Sequence, residues 1–199
     1  MQIRHKAIMA AMGVALSIGL AGCGAAGMSN SGADAGSGGM TQSGTSLRDG
    51  DAFPSFKATD IATGKAVDEG VFKQNKVTVV SYWFNGCSAC VNEMPVLEQL
   101  SRQLKDKGVG VLGVNAEGER AAKEAKGILS KQGVTYSNLA VDPSSEGAKV
   151  GDGIMAFPTT FLVGQDGRVI GEAMQGSVDK LEGSELLQRV NEALEKAQS

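Results

Sequence analysis

Val77-Thr-Val-Val-Ser-Tyr-Trp-Phe84 runs into Asn85-Gly86 and then Cys87-Ser88-Ala89-Cys90. The first eight residues form a near-continuous apolar run, as expected of a strand covered on both faces. From Cys90 to Lys107 the spacing changes to a helical one, with Met94, Leu97, Leu100 and Leu104 on one side and Gly108 placed to end the helix. The cysteine pair therefore sits where a buried strand gives way to a helix. A cysteine there meets unpaired N–H groups and the positive end of the helix dipole, which favour its thiolate. A second cysteine three residues on lies within one turn and can resolve a mixed disulfide. Cys87, nearer the helix end, is expected to attack, and Cys90 to resolve.

Two other uses of a CxxC pair compete. Tetrahedral zinc needs four ligands. The chain has three cysteines, Cys23, Cys87 and Cys90, and one histidine, His5; with His5 in a removed leader and Cys23 at the start of the mature chain, the folded domain keeps two cysteines and no histidine, so carboxylates would have to complete the site. A purely structural disulfide over so short a loop constrains the unfolded chain little.

On either side of this junction the chain alternates strand and helix. Upstream, Leu47 to Asn75 has apolar patches at Phe53, Phe56, Ile61, Val67 and Phe72, with Thr63-Gly64 as a turn between two short strands. Downstream, Val109–Val114 reads as a second buried strand, Glu119–Gln132 as a charged helix and Leu139–Val141 as a short strand. Ser144–Val150 reads as a short helix and Thr159–Val163 as a strand. Gln165–Arg168 is a hairpin turn, and Arg168–Gln175 is expected to return antiparallel. Val178–Ala197 is expected to form a terminal amphipathic helix with Leu181, Leu186, Leu187, Val190 and Leu194 on one side. The class is α/β, and the charges from Glu117 to Lys131 read as a solvated face.

The N-terminus reads as a leader. Arg4, His5 and Lys6 precede an uncharged stretch from Ala7 to Leu20, which suits a signal-peptide core and is short for a membrane span. It ends in Leu20-Ala21-Gly22-Cys23, which resembles the bacterial lipobox. That resemblance implies a signal peptide over 1–22, a diacylglyceryl group on Cys23 and a mature chain starting there. Two acyl chains suffice for durable anchoring. Cleavage would remove Arg4, His5 and Lys6, taking the net charge from −3 to −5. A chain without imidazole has no Ser-His-Asp or Cys-His catalysis. Its acidic balance offers no footprint for nucleic acid. Gly24–Ser46, with 7 Gly, 5 Ser and 4 Ala, has too little apolar surface to offset its ordering entropy and reads as a tether. The domain expected to fold is 47–199, with 42% hydrophobic and 21% charged residues in the whole chain.

Leu47 to Ala197 resembles the thioredoxin superfamily, and within it the membrane-anchored TlpA/ResA-like thiol-disulfide oxidoreductases. Tyr82-Trp83-Phe84 matches the aromatic strand end, and Cys87 and Cys90 match the redox pair. Glu93 matches an acidic residue beside the active site, and Pro95 a proline that kinks the active-site helix. Phe157-Pro158-Thr159-Thr160 matches the loop whose proline is cis. The resemblance implies a central mixed sheet flanked by helices, here with an N-terminal β-hairpin extension, and a redox-active Cys87–Cys90 disulfide without cofactor or metal. It also implies a proton-transfer role for Glu93 and supporting roles for Trp83, Pro95, Phe157, Pro158 and Thr159. Trp83 reads first as core packing and second as a substrate contact. The partners implied are exported disulfide-bearing proteins such as apocytochrome c and a thiol-disulfide electron donor in the membrane, on the extracytoplasmic side.

Two positions depart from the pattern. The dipeptide is Ser88-Ala89, without the proline many relatives place second, and Gly86 stands where tryptophan is usual. Neither dipeptide residue brings a cation to Cys87, so the reduction potential stays open; the resemblance implies a reductant, with a thiol oxidant of the same fold as the alternative. A peroxiredoxin-type peroxidase needs a proline upstream of its cysteine, and none lies between Pro54 and Pro95. A metal-binding lipoprotein is the remaining alternative.

Overall fold

The computed structural model describes residues 47–197; the signal peptide, Cys23 and the tether expected from the sequence lie outside them. Seven strands form one mixed sheet in the order β2-β1-β5-β4-β3-β6-β7. The central strand β3, Val77–Trp83, is buried along its whole length, which is why its sequence shows no polar alternation. It pairs in parallel with β4, Val109–Asn115, and antiparallel with β6, Thr159–Gly164. Parallel β5, Ser137–Val141, continues the sheet. The expected N-terminal hairpin, β1 (Lys57–Asp60) with β2 (Ala66–Asp68), joins it at the far edge through β1 against β5. Its turn uses Gly64 at φ +73, where a side chain would be strained, and Asp60 accepts from the Thr63 N–H and hydroxyl.

Helices α1 (Ser88–Leu104) and α4 (Glu185–Lys196) cover one face. Leu97, Leu100, Leu186 and Val190 pack there on Val77, Val79 and Leu162. The other face holds Phe53, Phe56, Phe72, Tyr82 and Phe161, under the N-terminal segment and α3, Ala148–Asp152. A third cluster at the C-terminal end of the parallel strands joins Trp83, Cys87, Cys90 and Met94 to Ala125 and Leu129 of α2, Ala122–Lys131. Each fully buried Leu or Val stabilises the fold by roughly 1.5–3 kcal/mol.

Several boundaries differ from expectation. The terminal helix starts at Glu185 and not at Val178. Gly183 at φ +72 breaks the helical path, and Ser184 caps the helix by accepting from the Leu187 N–H at 3.1 Å. Leu181 is buried, but from the preceding loop. The return from Arg168 is not a continuous strand. After Val169 pairs with Val163, Gly171 takes φ +69 and donates its N–H to Asp49, and only β7, Met174–Gln175, rejoins the sheet. On the other side Gly50 and Phe53 donate to the Val169 and Gly167 carbonyls, so the N-terminal segment pairs with the outer edge of this return. The short helix begins at Ala148, because the Ser144 N–H and hydroxyl turn back to Asp142. Glu119 to Ala121, expected as the first turn of the charged helix, belong to a separate 3-10 turn, Gly118–Ala121, before α2.

Candidate active site

Cys87 is the N-cap of α1, in an extended conformation, and its sulfur accepts the Cys90 N–H at 3.1 Å. One of the orphan donors of the helix start therefore points at the sulfur that carries charge when reduced. Cys87 and Cys90 are joined as a disulfide. Cys90 is the more deeply placed, 1% exposed against 7% for Cys87.

The turn that presents Cys87 is tied down from β4. The Asn85 N–H donates to Glu117 Oε2 at 2.8 Å, and Asn115 Nδ2 donates to Asn85 Oδ1 at 2.9 Å. The Ala116 N–H reaches the Trp83 carbonyl at 2.8 Å. Glu117, expected among solvated charges, is thus bonded to the active-site turn. Below the pair, the buried Trp83 indole donates to Asn138 Oδ1 at 3.0 Å. Asn138 lies there because its partner across the ladder is Gly113, where any Cβ would overlap the Asn138 amide.

The Phe157–Pro158 peptide is cis. Phe157 packs edge-on against Phe84, centroids 5.2 Å apart, and against the cluster that contains both cysteines. Thr159 is buried and donates to the Ala156 carbonyl. Pro95 lies inside α1 on its exposed side, without a backbone N–H for the Val91 carbonyl.

Glu93 is 2% exposed. Its carboxylate accepts from the Ser81 hydroxyl at 2.9 Å and from the Val178 N–H at 3.1 Å. Burial pushes its carboxyl up to about 7, with the Val178 and Ser81 bonds pulling the other way. The Tyr136 phenol is held far above its usual range by burial and then by the carboxylates of Glu93 and Glu98. Burial alone raises Tyr82 likewise.

The fold thus brings together Cys87, Cys90, Trp83 and Phe157 and places Glu93 one helical turn below Cys90. Sequence reasoning missed Ser81, Asn85, Asn115, Glu117, Asn138 and Val178. Ser81 carried a signal, as a small polar residue in a wholly buried strand. Val178 carried none, since its role is played by its backbone.

A disulfide capping the helix that follows the central strand, facing a cis-proline loop, defines a thioredoxin-fold thiol-disulfide oxidoreductase. The comparisons agree with the geometry. Residues 48–186 match the Redoxin family. A thiol-disulfide oxidoreductase ResA of Bacillus thuringiensis subsp. konkukian (strain 97-27) is 30% identical over 137 residues, covering 69% of this chain and 75% of that protein. Among solved structures, a thiol:disulfide interchange protein from Bacteroides sp. superposes with TM-score 0.57 at 25% identity, covering 75% of this chain and 91% of that one. A thioredoxin family protein from Chlorobium tepidum TLS superposes with TM-score 0.59 at 22% identity, covering 73% and 97%. The chain belongs to the Redoxin family and, within the thioredoxin superfamily, to its TlpA/ResA-like branch.

Proposed function

We propose that this oxidoreductase works as a reductant of exported disulfide-bearing proteins, anchored on the extracytoplasmic side through lipidated Cys23. The observation that carries the reading is Glu93, a buried carboxyl with a proton affinity near neutrality, three residues after the deeper cysteine. In the reduced enzyme Cys87 thiolate attacks one sulfur of a partner disulfide. That disulfide breaks, the partner's other sulfur leaves as thiolate, and a mixed disulfide forms on Cys87. The Cys90 thiol then gives its proton to the Glu93 carboxylate and attacks Cys87 sulfur. The partner's second sulfur departs and takes up a proton, so the partner gains two electrons and the Cys87–Cys90 disulfide is restored. A membrane dithiol donor reverses the sequence to recharge the pair. Trp83, Pro95, Phe157, Pro158 and Thr159 act in this scheme by shaping the surroundings of the pair. A polypeptide partner agrees with the exposed Met155, 79% accessible, two residues before Phe157.

Domain limits follow from the same reading: 1–22 as signal peptide, 23–46 as lipidated cysteine and tether, and 47–199 as catalytic domain. Cys90→Ser should accumulate mixed disulfides with envelope proteins, identifiable by mass spectrometry, whereas Cys87→Ser should trap little. Equal trapping through Cys90 would overturn the division of labour. A measured reduction potential as positive as that of a strong oxidant would overturn the direction. Unchanged lipid labelling of Cys23→Ala would overturn the anchor.

A further inference from the structure

Adjacent residues of β3 face opposite sides of the sheet. Trp83 faces the disulfide, and its one polar atom is satisfied by Asn138. Tyr82 belongs to the cluster on the other face and is 2% exposed. It lines a cavity of about 300 Å³ at the same end of the sheet, floored by Val114 and Val141. A tyrosine in a cavity wall presents an apolar ring and a hydroxyl, which together suit an occupant with an apolar body and a polar tip.

The shape and charge of the cavity narrow the occupant. Its volume is at the lower end of sites for whole small molecules, about 300–1,000 Å³, and accommodates a single long side chain. Gly151 of α3 leaves it open, since a Cβ there would stand 3.7 Å from the Tyr82 ring and 3.9 Å from Ala116. The carboxylates of Glu117, Glu119 and Asp152 surround it against the single guanidinium of Arg120. Apolar walls below and net negative charge above fit an aliphatic stem with a cationic tip.

The cavity wall is also joined to the redox turn. Glu117 and Asn115, both of the lining, hold Asn85, two residues before Cys87. Gly86, between Asn85 and Cys87, is exposed and has no side chain, so the edge that joins the cavity wall to Cys87 carries no side chain at that position. We propose that this cavity is a recognition subsite for the substrate polypeptide and takes a lysine or arginine side chain flanking the cysteine that Cys87 attacks. This rests on the proposed reduction of polypeptide disulfides and names a feature of the polypeptide that is chosen.

Synthetic peptides test it. Each carries one cysteine in a mixed disulfide with thionitrobenzoate and a single lysine, norleucine or glutamate walked along the flanking positions. Cys87 thiolate of the reduced protein attacks the peptide sulfur and coloured thionitrobenzoate leaves. At one spacing the lysine peptide should react about 10-fold faster than the norleucine and glutamate peptides, a difference of about 1.4 kcal/mol. Tyr82→Phe, which keeps the ring, and Gly151→Leu, which fills the opening, should bring the lysine-to-norleucine ratio towards one. Glu192→Gln on α4 should leave the ratio at its wild-type value. Equal rates for all three peptides at every spacing would overturn the subsite while leaving the oxidoreductase reading intact. No thionitrobenzoate release from any peptide would sink that reading, and the subsite with it. An arm without exchange chemistry locates the occupant. The oxidised protein, titrated with a cysteine-free lysine peptide, should show NMR shifts at Tyr82 and Gly151. Shifts confined elsewhere, or reproduced by acetyl-lysine amide alone at equal concentration, would also overturn it.

Discussion

Near the start of α1, Glu93 accepts two neutral donors, the Ser81 hydroxyl and the Val178 N–H, and burial lifts its carboxyl to about 7. Further along the same helix Glu98 is also buried, yet its carboxyl is held below the usual range. Burial acts upward there too, but the Thr135 hydroxyl, the Thr135 N–H, the Arg102 guanidinium and the Tyr136 N–H together outweigh it. Three of those contacts are 2.6–2.7 Å long. The pair of glutamates teaches that depth alone does not set proton affinity. The number and charge of the donors that replace water decide it. Under the helix N-terminus the fold supplies few donors and leaves a carboxyl that exchanges protons near neutrality. At the other end it supplies many, and the carboxylate becomes a structural tie between α1 and the start of β5.

The contrast can be broken first at Glu93. Its folded-state value is raised above the ordinary 4.5, so the native protein binds more protons than the unfolded chain between about pH 4.5 and 7. That contribution to stability is fully present below 4.5 and is lost as pH rises through 7. Urea unfolding of the oxidised protein should therefore show a fall of about 3 kcal/mol across this window, and Glu93→Gln should remove it. The same variant should shift the pH–rate profile of disulfide reduction. Wild-type and variant stability profiles that superimpose would show that Glu93 does not titrate as described.

Glu98→Ala reads the other side of the comparison. It leaves the Thr135 N–H and hydroxyl without their partner and should cost about 2 kcal/mol at pH 7. Here the sign is reversed. A depressed value gives stability that is present above the ordinary 4.5 and is lost as pH falls through the folded-state value. The gap between wild type and variant should consequently narrow in acid, and a gap constant with pH would mean that the lost contacts are not electrostatic.

Ser81→Ala sharpens the contrast by taking one donor from Glu93. It should cost about 1 kcal/mol and move the Glu93 midpoint upward, away from Glu98, as read from the pH dependence of turnover. An unmoved midpoint would leave the Ser81 bond without influence on the proton. The smallest effect is expected for Arg102→Ala. Arg102 is 68% exposed and its bond to Glu98 is solvent-screened, while Thr135 and Tyr136 continue to hold the carboxylate. A change in denaturation midpoint equivalent to more than about 1 kcal/mol would show this pair to be stronger than exposed ion pairs usually are.

By itself the sequence determined the sheet's central strand, the helix behind it, and the cysteine pair at their junction. These depend on local periodicity and on residue chemistry at fixed spacing, both of which survive in a linear string. The cis position of Pro158 and the placement of Glu93 one turn below Cys90 were legible through the matched motif and the helical repeat. The partners of Glu93 were not. Ser81 lies on β3, twelve residues upstream, and Val178 lies in the loop before α4, 85 residues downstream, so only the packing of these segments around α1 brings them to the carboxylate. The tie from Glu117 to Asn85 likewise joins two loops through the parallel pairing of β3 and β4. Tyr82 read as another aromatic of a buried strand; the cavity it lines is a property of the space between β4, β5 and α3. Charge compensation and cavity shape arise from residues far apart in the chain meeting at close range. Only the tertiary structure could therefore decide which of two buried glutamates titrates and which aromatic faces an open pocket.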